Sequence, residues 1–345
     1  MLHVGPRVAP TRSWWLDNAP TAATIKPDPG VPDSTDVVVI GAGMTGCATA
    51  YWLWRLYGRR CVVLDARGVA GGATGRNGGH LWANPASAFE QETVKELLEF
   101  IREERVQCDL TNDGAVSLDR RQPEGGVTYH DAEDDPEAST AADDDDDWGD
   151  TPMWDAEACK AKLQSDSFVA AAHYEEAHQF IPAEVTAAML ARSGARLCAP
   201  VRVLSISDTS DLSPPSPPPP SPPPLDELPL DGSPPNVAVT TDHGVVLARS
   251  VVVATNGWTA ELLPELADFL WPTRNQVIMT RPLAASREWS VGAFAVDSDV
   301  GAREVYAIRR PVQPPCGSNP RQATFSLSLS LSLPLSLSLP LSGSG

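Results

Sequence analysis

No apolar run in these 345 residues is long enough to cross a bilayer. The longest are the length of a buried strand, so no transmembrane helix and no membrane partner are expected. Met1–Pro20 also has no apolar core of signal-peptide length. Cysteine is sparse and unpaired: Cys47, Cys61, Cys108, Cys159, Cys198 and Cys316 show no metal-ligand spacing, and a reduced, cytoplasmic setting fits them best. Basic residues are few, 26 Lys and Arg against 45 Asp and Glu, with none of the clustering that a nucleic-acid footprint needs. The net charge of −19 is local, because Asp131–Asp150 holds eleven acidic residues and no Lys or Arg. The rest of the chain carries about −8, ordinary for a soluble protein, and the acidic run reads as a solvated insert.

Order is expected to be interrupted. Residues 1–30 form an extension rich in Pro, Ala and Thr; residues 209–236 are proline-rich, with a polyproline spacer over Ser213–Pro224. Residues 317–345 are a low-complexity tail in which Leu and Ser alternate from Phe325 to Pro340. That alternation is a strand period without a turn partner, and a translated dinucleotide repeat would give the same pattern, so the tail is expected to lie outside the fold. The remaining length suits two domains.

Val37-Val38-Val39-Ile40 is a continuous β-branched run, the mark of a strand buried on both faces. Thr45–Leu56 has a mostly apolar helical pattern, stopped at Gly58. Cys61–Leu64 is a second buried strand, ending at Asp65. Strand, helix and strand in this space make a βαβ unit. Further on, helices are expected over Glu90–Glu104, Ala156–Leu163 and from Pro182 to about Ala191, and a strand over Ala199–Ile206. Val237–Thr241 and Val245–Ala254 flank the hairpin turn Asp242-His243-Gly244.

Between the first strand and its helix stands Gly41-Ala42-Gly43-Met44-Thr45-Gly46, a G-x-G-x-x-G motif. Alone the motif is weak; directly between a strand and a helix it points to a dinucleotide. Gly41 makes the tight turn, Gly43 admits the pyrophosphate, and Gly46 lets helix and strand pack closely. The helix N-terminus, with Met44 and Thr45 in its first turn, presents free N–H groups and partial positive charge. Asp65, 19 residues after Gly46, suits ribose hydroxyls and would repel a 2′-phosphate. These features fit NAD and FAD equally.

Three later segments separate the two. Gly72-Ala73-Thr74-Gly75-Arg76-Asn77-Gly78-Gly79-His80, the strand Gly194–Ile206, and Val251-Val252-Val253-Ala254-Thr255-Asn256-Gly257-Trp258 follow the βαβ unit in order. With Ser13-Trp14, they make the chain resemble the D-amino-acid oxidase-like, FAD-dependent oxidoreductases, which include glycine, sarcosine and gamma-glutamylputrescine oxidases. The resemblance spans about residues 13–282. It implies an α/β fold: a Rossmann-type FAD-binding domain (31–105 and 182–264) and a partial antiparallel α+β substrate domain (106–181 and 265–316), both discontinuous in sequence. It further implies that Ala66, Thr74, Arg76, Asn77, Gly78 and Gly79 line the path from pyrophosphate to flavin. Val203 would meet adenine, and Ala254, Thr255 and Gly257 would lie beside the cofactor. The segments Gln179–Pro182 and Trp271–Val277 would border the crossings between domains. The implied reaction is oxidation of a small-molecule amine or amino acid at its carbon–nitrogen bond, with O2 as acceptor.

The chain departs from the family pattern after Val277, where the expected further strands and glycine-rich turn are not legible. A C-terminally truncated, catalytically incomplete FAD-binding fragment, or an erroneous gene model of a longer enzyme, is therefore the alternative expectation, and an NAD-linked dehydrogenase a further one. No catalytic side chain is assigned and no metal is expected. His80 follows the Gly78-Gly79 pair and reads as a packing or polar contact, with covalent flavin attachment the sharper alternative. His173, His178 and His243 read as surface or turn residues, and Trp14-Trp15 with Tyr51–Trp54 as packing.

Overall fold

The computed structural model describes residues 11–84, 87–120, 151–209, 234–270, 272, 274–279, 291–298, 303–311 and 325–333. The acidic insert at 131–150, the proline-rich stretch at 210–233 and residues 334–345 lie outside them. In chain order the elements are α1 (Trp14–Asp17), α2 (Pro20–Thr24), β1 (Ser34–Ile40), α3 (Met44–Tyr57), β2 (Val62–Leu64), β3 (His80–Leu81) and α4 (Ala88–Glu103). Then come β4 (Ala115–Arg120), β5 (Met153–Asp155), α5 (Ala156–Leu163), β6 (Phe168–Tyr174), β7 (His178–Gln179) and α6 (Pro182–Ser193). The remaining strands are β8 (Arg196–Cys198), β9 (Val203–Asp208), β10 (Val237–Thr241), β11 (Gly244–Val253), β12 (Arg274–Met279), β13 (Ala293–Ser298), β14 (Arg303–Pro311) and β15 (Phe325–Leu333).

The chain divides into two compact units, Met1–Arg76 with Ile181–Pro272, and Asn77–Phe180 with Thr273–Gly345. Both are discontinuous, and the fold is α/β. The first unit carries a six-stranded sheet in the order β8-β2-β1-β11-β10-β9. The four strands from β8 to β11 are parallel, and β11, β10 and β9 form an antiparallel meander. Val38, Ile40, Val62, Leu64, Val239 and Val246 fill its core. β1 is buried from Val37 to Ile40, which is why it is a run of β-branched residues rather than an alternation. From β1 the chain crosses through α3 to β2 on one side, while β11 lies on the other. The C-terminal end of β1 is thus a topological switch point, where open α/β sheets hold their ligands. α3 packs against α6 and ends at Gly58, whose φ of +63° is left-handed.

Two expectations are corrected here. Residues 11–30 are built into the first unit: α1 and α2 pack on α6, and Asp28 extends the β8 edge, its N–H donating to Leu197 O at 2.9 Å and its carbonyl accepting from Ala199 N at 3.0 Å. Of the strand expected over Ala199–Ile206, only the part from Val203 is a strand, β9, and residues 199–202 link it to β8. Pro200 stands between them, and without an N–H it cannot carry a ladder.

The second unit carries a seven-stranded sheet in the order β12-β15-β14-β13-β4-β6-β5. Every pairing in it is antiparallel except β13 with β4. α4, expected in the cofactor domain, belongs to this unit. The Leu–Ser tail, expected outside the fold, forms β15 between β12 and β14. A two-stranded ribbon pairs β3 with β7, placing His80 opposite Gln179. Gln179 is fully buried; its side-chain amide donates to Gly114 O at 3.1 Å and its oxygen accepts from Thr111 Oγ1 at 2.9 Å.

Candidate dinucleotide site

At the end of β1, Gly41 donates its N–H to Leu64 O at 2.8 Å and adopts φ +109°. A Cβ there would strike the carbonyl of Ala254, which follows β11. Gly46, in the first turn of α3, lies on the Gly41 carbonyl, and a Cβ would overlap that oxygen. Two of the three glycines are therefore required by backbone packing alone. Gly43 differs: it is the N-cap of α3 in extended geometry, and a Cβ would come 3.2 Å from Thr74 Oγ1.

The loop after β2 grips this turn from the other side. One oxygen of Asp65 accepts from Ala42 N at 2.8 Å, and the other from Arg67 N at 2.7 Å and Gly68 N at 2.8 Å. A carboxylate has about four acceptor positions, so one remains on the oxygen that holds Ala42. Ala66 is the half-buried residue inside this Asp65-centred turn. Ala42 returns the contact by accepting from Ala70 N at 2.8 Å, and Ala70, fully buried, is held at φ +53° to make it. Neither Ala42 nor Ala70 stands out in the sequence, since an alanine carries no signal of a backbone hydrogen bond.

Thr74 sits in a short 3-10 turn, Ala73–Gly75, and its hydroxyl accepts from Met44 N at 3.0 Å. Met44, Thr45 and Gly46 form the first turn of α3, whose remaining N–H groups have no intrahelical acceptor. α3 has no side-chain cap from its own N-cap residue and no acidic residue in its first turn. By contrast, α4 is capped by Ser87 with Glu90 in its first turn, and α5 by Asp155 with Glu157. The long helix at the switch point alone among these three leaves its positive end without a negative partner, the donor set an anionic phosphate needs.

Arg76 uses its guanidinium locally, donating to Thr11 Oγ1 at 2.7 Å and Thr11 O at 2.6 Å. In the second unit, Asn77 Oδ1 accepts from Gly79 N at 3.0 Å, and Gly79 adopts φ +76°. A Cβ on Gly78 would come 2.7 Å from the His80 ring, so that glycine makes room for imidazole. His80 meets Trp82 edge-on, and Trp82 stacks on Tyr174. Burial pushes the His80 pKa down to about 4. Burial likewise pushes the Cys61 thiol up to about 12, and Cys47 higher, so neither is a nucleophile at neutral pH.

Ala254 donates its N–H to Ile40 O at 2.8 Å, tying its turn to the end of β1. Thr255 bonds Thr259 through their hydroxyls at 3.0 Å, and Gly257 leaves room for Pro272, whose Cα would lie 2.9 Å from a Cβ. Val203 opens β9 opposite Thr241. It is Val201, two residues earlier, that reaches the β2 loop, donating to Asp65 O at 2.9 Å. Backbone and side-chain bonds thus bring Gly41–Gly46, Asp65, Thr74 and Ala254 together. For Val203, Thr255 and Gly257 the bonds run elsewhere.

Among the described residues no helix is long and apolar enough to cross a membrane, and no group of three or more His, Cys, Asp or Glu could hold a metal. Over 74 residues the chain is 42% identical to a component of the anaerobic glycerol-3-phosphate dehydrogenase of Haemophilus influenzae, 21% of this chain and 12% of that protein's length. The fold is shared with glycine oxidase from Bacillus cereus, at TM-score 0.55 and 17% identity, covering 87% of this chain and 72% of that one. It is shared too with L-amino acid deaminase from Proteus vulgaris, solved without its specific insertion, at TM-score 0.57 and 16% identity, covering 91% of this chain and 73% of that one. The sequence matches the family described as FAD dependent oxidoreductase, DAO, over residues 36–319. Most of the chain lies within that match, and the protein belongs to the DAO family of FAD-dependent oxidoreductases.

Proposed function

We propose that the protein oxidises the carbon–nitrogen bond of a small amine or amino acid, with FAD held at the end of β1. The observation that carries the site is the open N-terminus of α3, framed by Gly43, Thr74 and the Asp65 loop. In this reading the N–H groups of the first turn of α3 receive the pyrophosphate, and the Thr74 hydroxyl fixes the edge of that turn. The remaining acceptor position on Asp65 takes a ribose hydroxyl, and its charge disfavours a 2′-phosphate. Met44, Thr45 and Ala66 contribute backbone to the ADP half. Val203, Ala254, Thr255 and Gly257, in the same unit, border the cofactor. Arg76 acts by fixing its own loop to Thr11.

Bound there, FAD would supply acceptance of a hydride from the carbon beside nitrogen, with O2 as the final acceptor giving hydrogen peroxide. Support for the substrate class comes from the family and from the amino-acid enzymes that share the fold. The test is direct. The purified chain should be yellow or become so on reconstitution with FAD, and a panel of amines and amino acids should bleach the flavin anaerobically and release peroxide in air. A chain that stays colourless with FAD removes the cofactor reading. A yellow chain that no C–N substrate bleaches removes the substrate class.

A further inference from the structure

The segment Thr11–Leu16 touches the same short turn that caps α3. Ser13 is 8% exposed. Its hydroxyl donates to Gly75 O at 2.6 Å and accepts from Leu16 N at 3.3 Å, so one oxygen both caps α1 and anchors the turn. A Cβ on Gly75 would meet Leu16 Cγ at 3.5 Å on one side and strike the Ala70 carbonyl on the other. One residue later, Arg76 grips Thr11 by two hydrogen bonds. The far end of the segment is pinned as well. Glu184, 3% exposed on α6, accepts from Thr21 N at 3.0 Å and from the Thr21 hydroxyl, supplying the cap that α2 lacks.

Thr74 directly precedes the two anchored residues, Gly75 and Arg76. Its backbone is held from the N-terminal side by Gly75 and Arg76, while its hydroxyl points the other way, to Met44 N. A turn fixed on one side and capping on the other transmits position. If the Ser13 bond is lost, Gly75 O loses its anchor to the N-terminal segment, and Thr74 Oγ1 need move little for a 3.0 Å hydrogen bond to weaken.

We infer that Ser13 is a positioning residue for the cofactor: the segment Thr11–Leu16 is a strap that sets the Ala73–Gly75 turn, and through Thr74 the open end of α3, in the geometry that retains FAD. This rests on the FAD reading above. The strap is not a ligand; it acts through Thr74, and its contribution should appear as cofactor affinity in the folded protein that is coupled to Thr74.

The experiment is a double-mutant cycle on the full chain, Ser13→Ala and Thr74→Ala singly and together, with FAD affinity read from quenching of flavin fluorescence on titration with apoprotein. Ser13→Ala should weaken FAD about fivefold, the size of one buried hydrogen bond, and Ser13→Thr should restore most of it. In the Thr74→Ala background the same change should have almost no further effect. Ser13→Ala also removes the α1 cap and should lower the melting temperature of the apoprotein by a few degrees; circular dichroism checks that every variant is fully folded at the temperature of the titration, so that the affinities compare folded proteins. Additive losses in the cycle overturn the inference, as does an unchanged affinity in folded Ser13→Ala. A wild-type chain that binds no FAD defeats the FAD reading itself, a different result from wild-type binding that Ser13→Ala leaves intact.

Discussion

Gly46 and Gly43 look alike in the G-x-G-x-x-G motif but fail differently. Gly46→Ala forces a methyl into the Gly41 carbonyl, backbone that cannot move without separating α3 from β1. It should cost about 2–4 kcal/mol in chemical denaturation. Gly43 has φ −82°, open to any residue, and its missing Cβ faces a hydroxyl at 3.2 Å. Gly43→Ala should change stability by less than about 1 kcal/mol while lowering FAD affinity about tenfold, one carbon's worth of lost approach at the helix end. Equal stability losses in the two variants would contradict this division. His80 gives a pH signature. Its pKa in the folded protein is about 4 because of burial, against an ordinary 6.5. The unfolded chain therefore binds the proton first. The stability that neutral His80 contributes is complete above pH 6.5 and is lost as pH falls towards 4. His173, half-shielded and also lowered chiefly by burial, adds the same sign. His80→Gln should remove part of the loss measured by urea denaturation between about pH 7 and pH 5. A slope unchanged by the substitution would mean that His80 does not titrate as its burial requires.

At the scale of elements, legibility followed burial. β1 and β2 could be read because a strand covered on both faces must be apolar throughout, and α3 because a glycine loop precedes it and Gly58 stops it. The hairpin β10–β11 was legible through its turn, where Gly244 adopts φ +134° and Thr241 Oγ1 donates to Gly244 O at 2.8 Å. What could not be read was carried by backbone groups: the Asp65 clamp on three amides, the Ala42–Ala70 bond, and the addition of Asp28 to the β8 edge. No side-chain pattern encodes these. The β9–β10 pair shows how little the sequence between two strands need matter. Asp208 stands opposite Val237, and Thr209 N donates to Asn236 O at 2.9 Å, so the ladder is closed before residue 210 and after residue 233. Replacing 210–233 with a short Gly-Ser linker should leave FAD affinity unchanged and alter stability by less than about 1 kcal/mol, since closure entropy depends weakly on length. A loss of FAD binding in that variant would show that the proline tract reaches the site.

At the scale of the whole molecule, the chain passes between its units at Arg76–Asn77, Phe180–Ile181 and Pro272–Thr273, so each unit is completed by sequence from far away. The first unit is a mixed sheet whose site, at the end of its parallel strands, is set by local motifs, and most of it could be anticipated. The second depends on long-range antiparallel pairing, and its least expected member is β15. The Leu–Ser alternation had no partner in the sequence because its partners, β12 and β14, are not themselves strongly patterned. In the structure, Phe325–Leu331 pairs with β14 and Ser328–Leu333 with β12. Among the described residues, β12 pairs with β15 alone. A repeat of period two has a particular consequence. Shifting it by two residues restores the same sequence against the same partners, whereas shifting it by one exchanges every Leu for Ser. Deleting one Leu–Ser pair from 326–333 should therefore leave β12 protected from hydrogen exchange, while deleting a single residue there should expose it. In both variants the amides of Val38 and Val39 in β1 and of Val252 in β11 belong to the other sheet and should stay protected. The measurement is deuterium uptake by mass spectrometry over Arg274–Met279. If the two deletions expose β12 equally, its hold on the sheet does not depend on the register of β15; if neither does, β12 is held by something other than the tail.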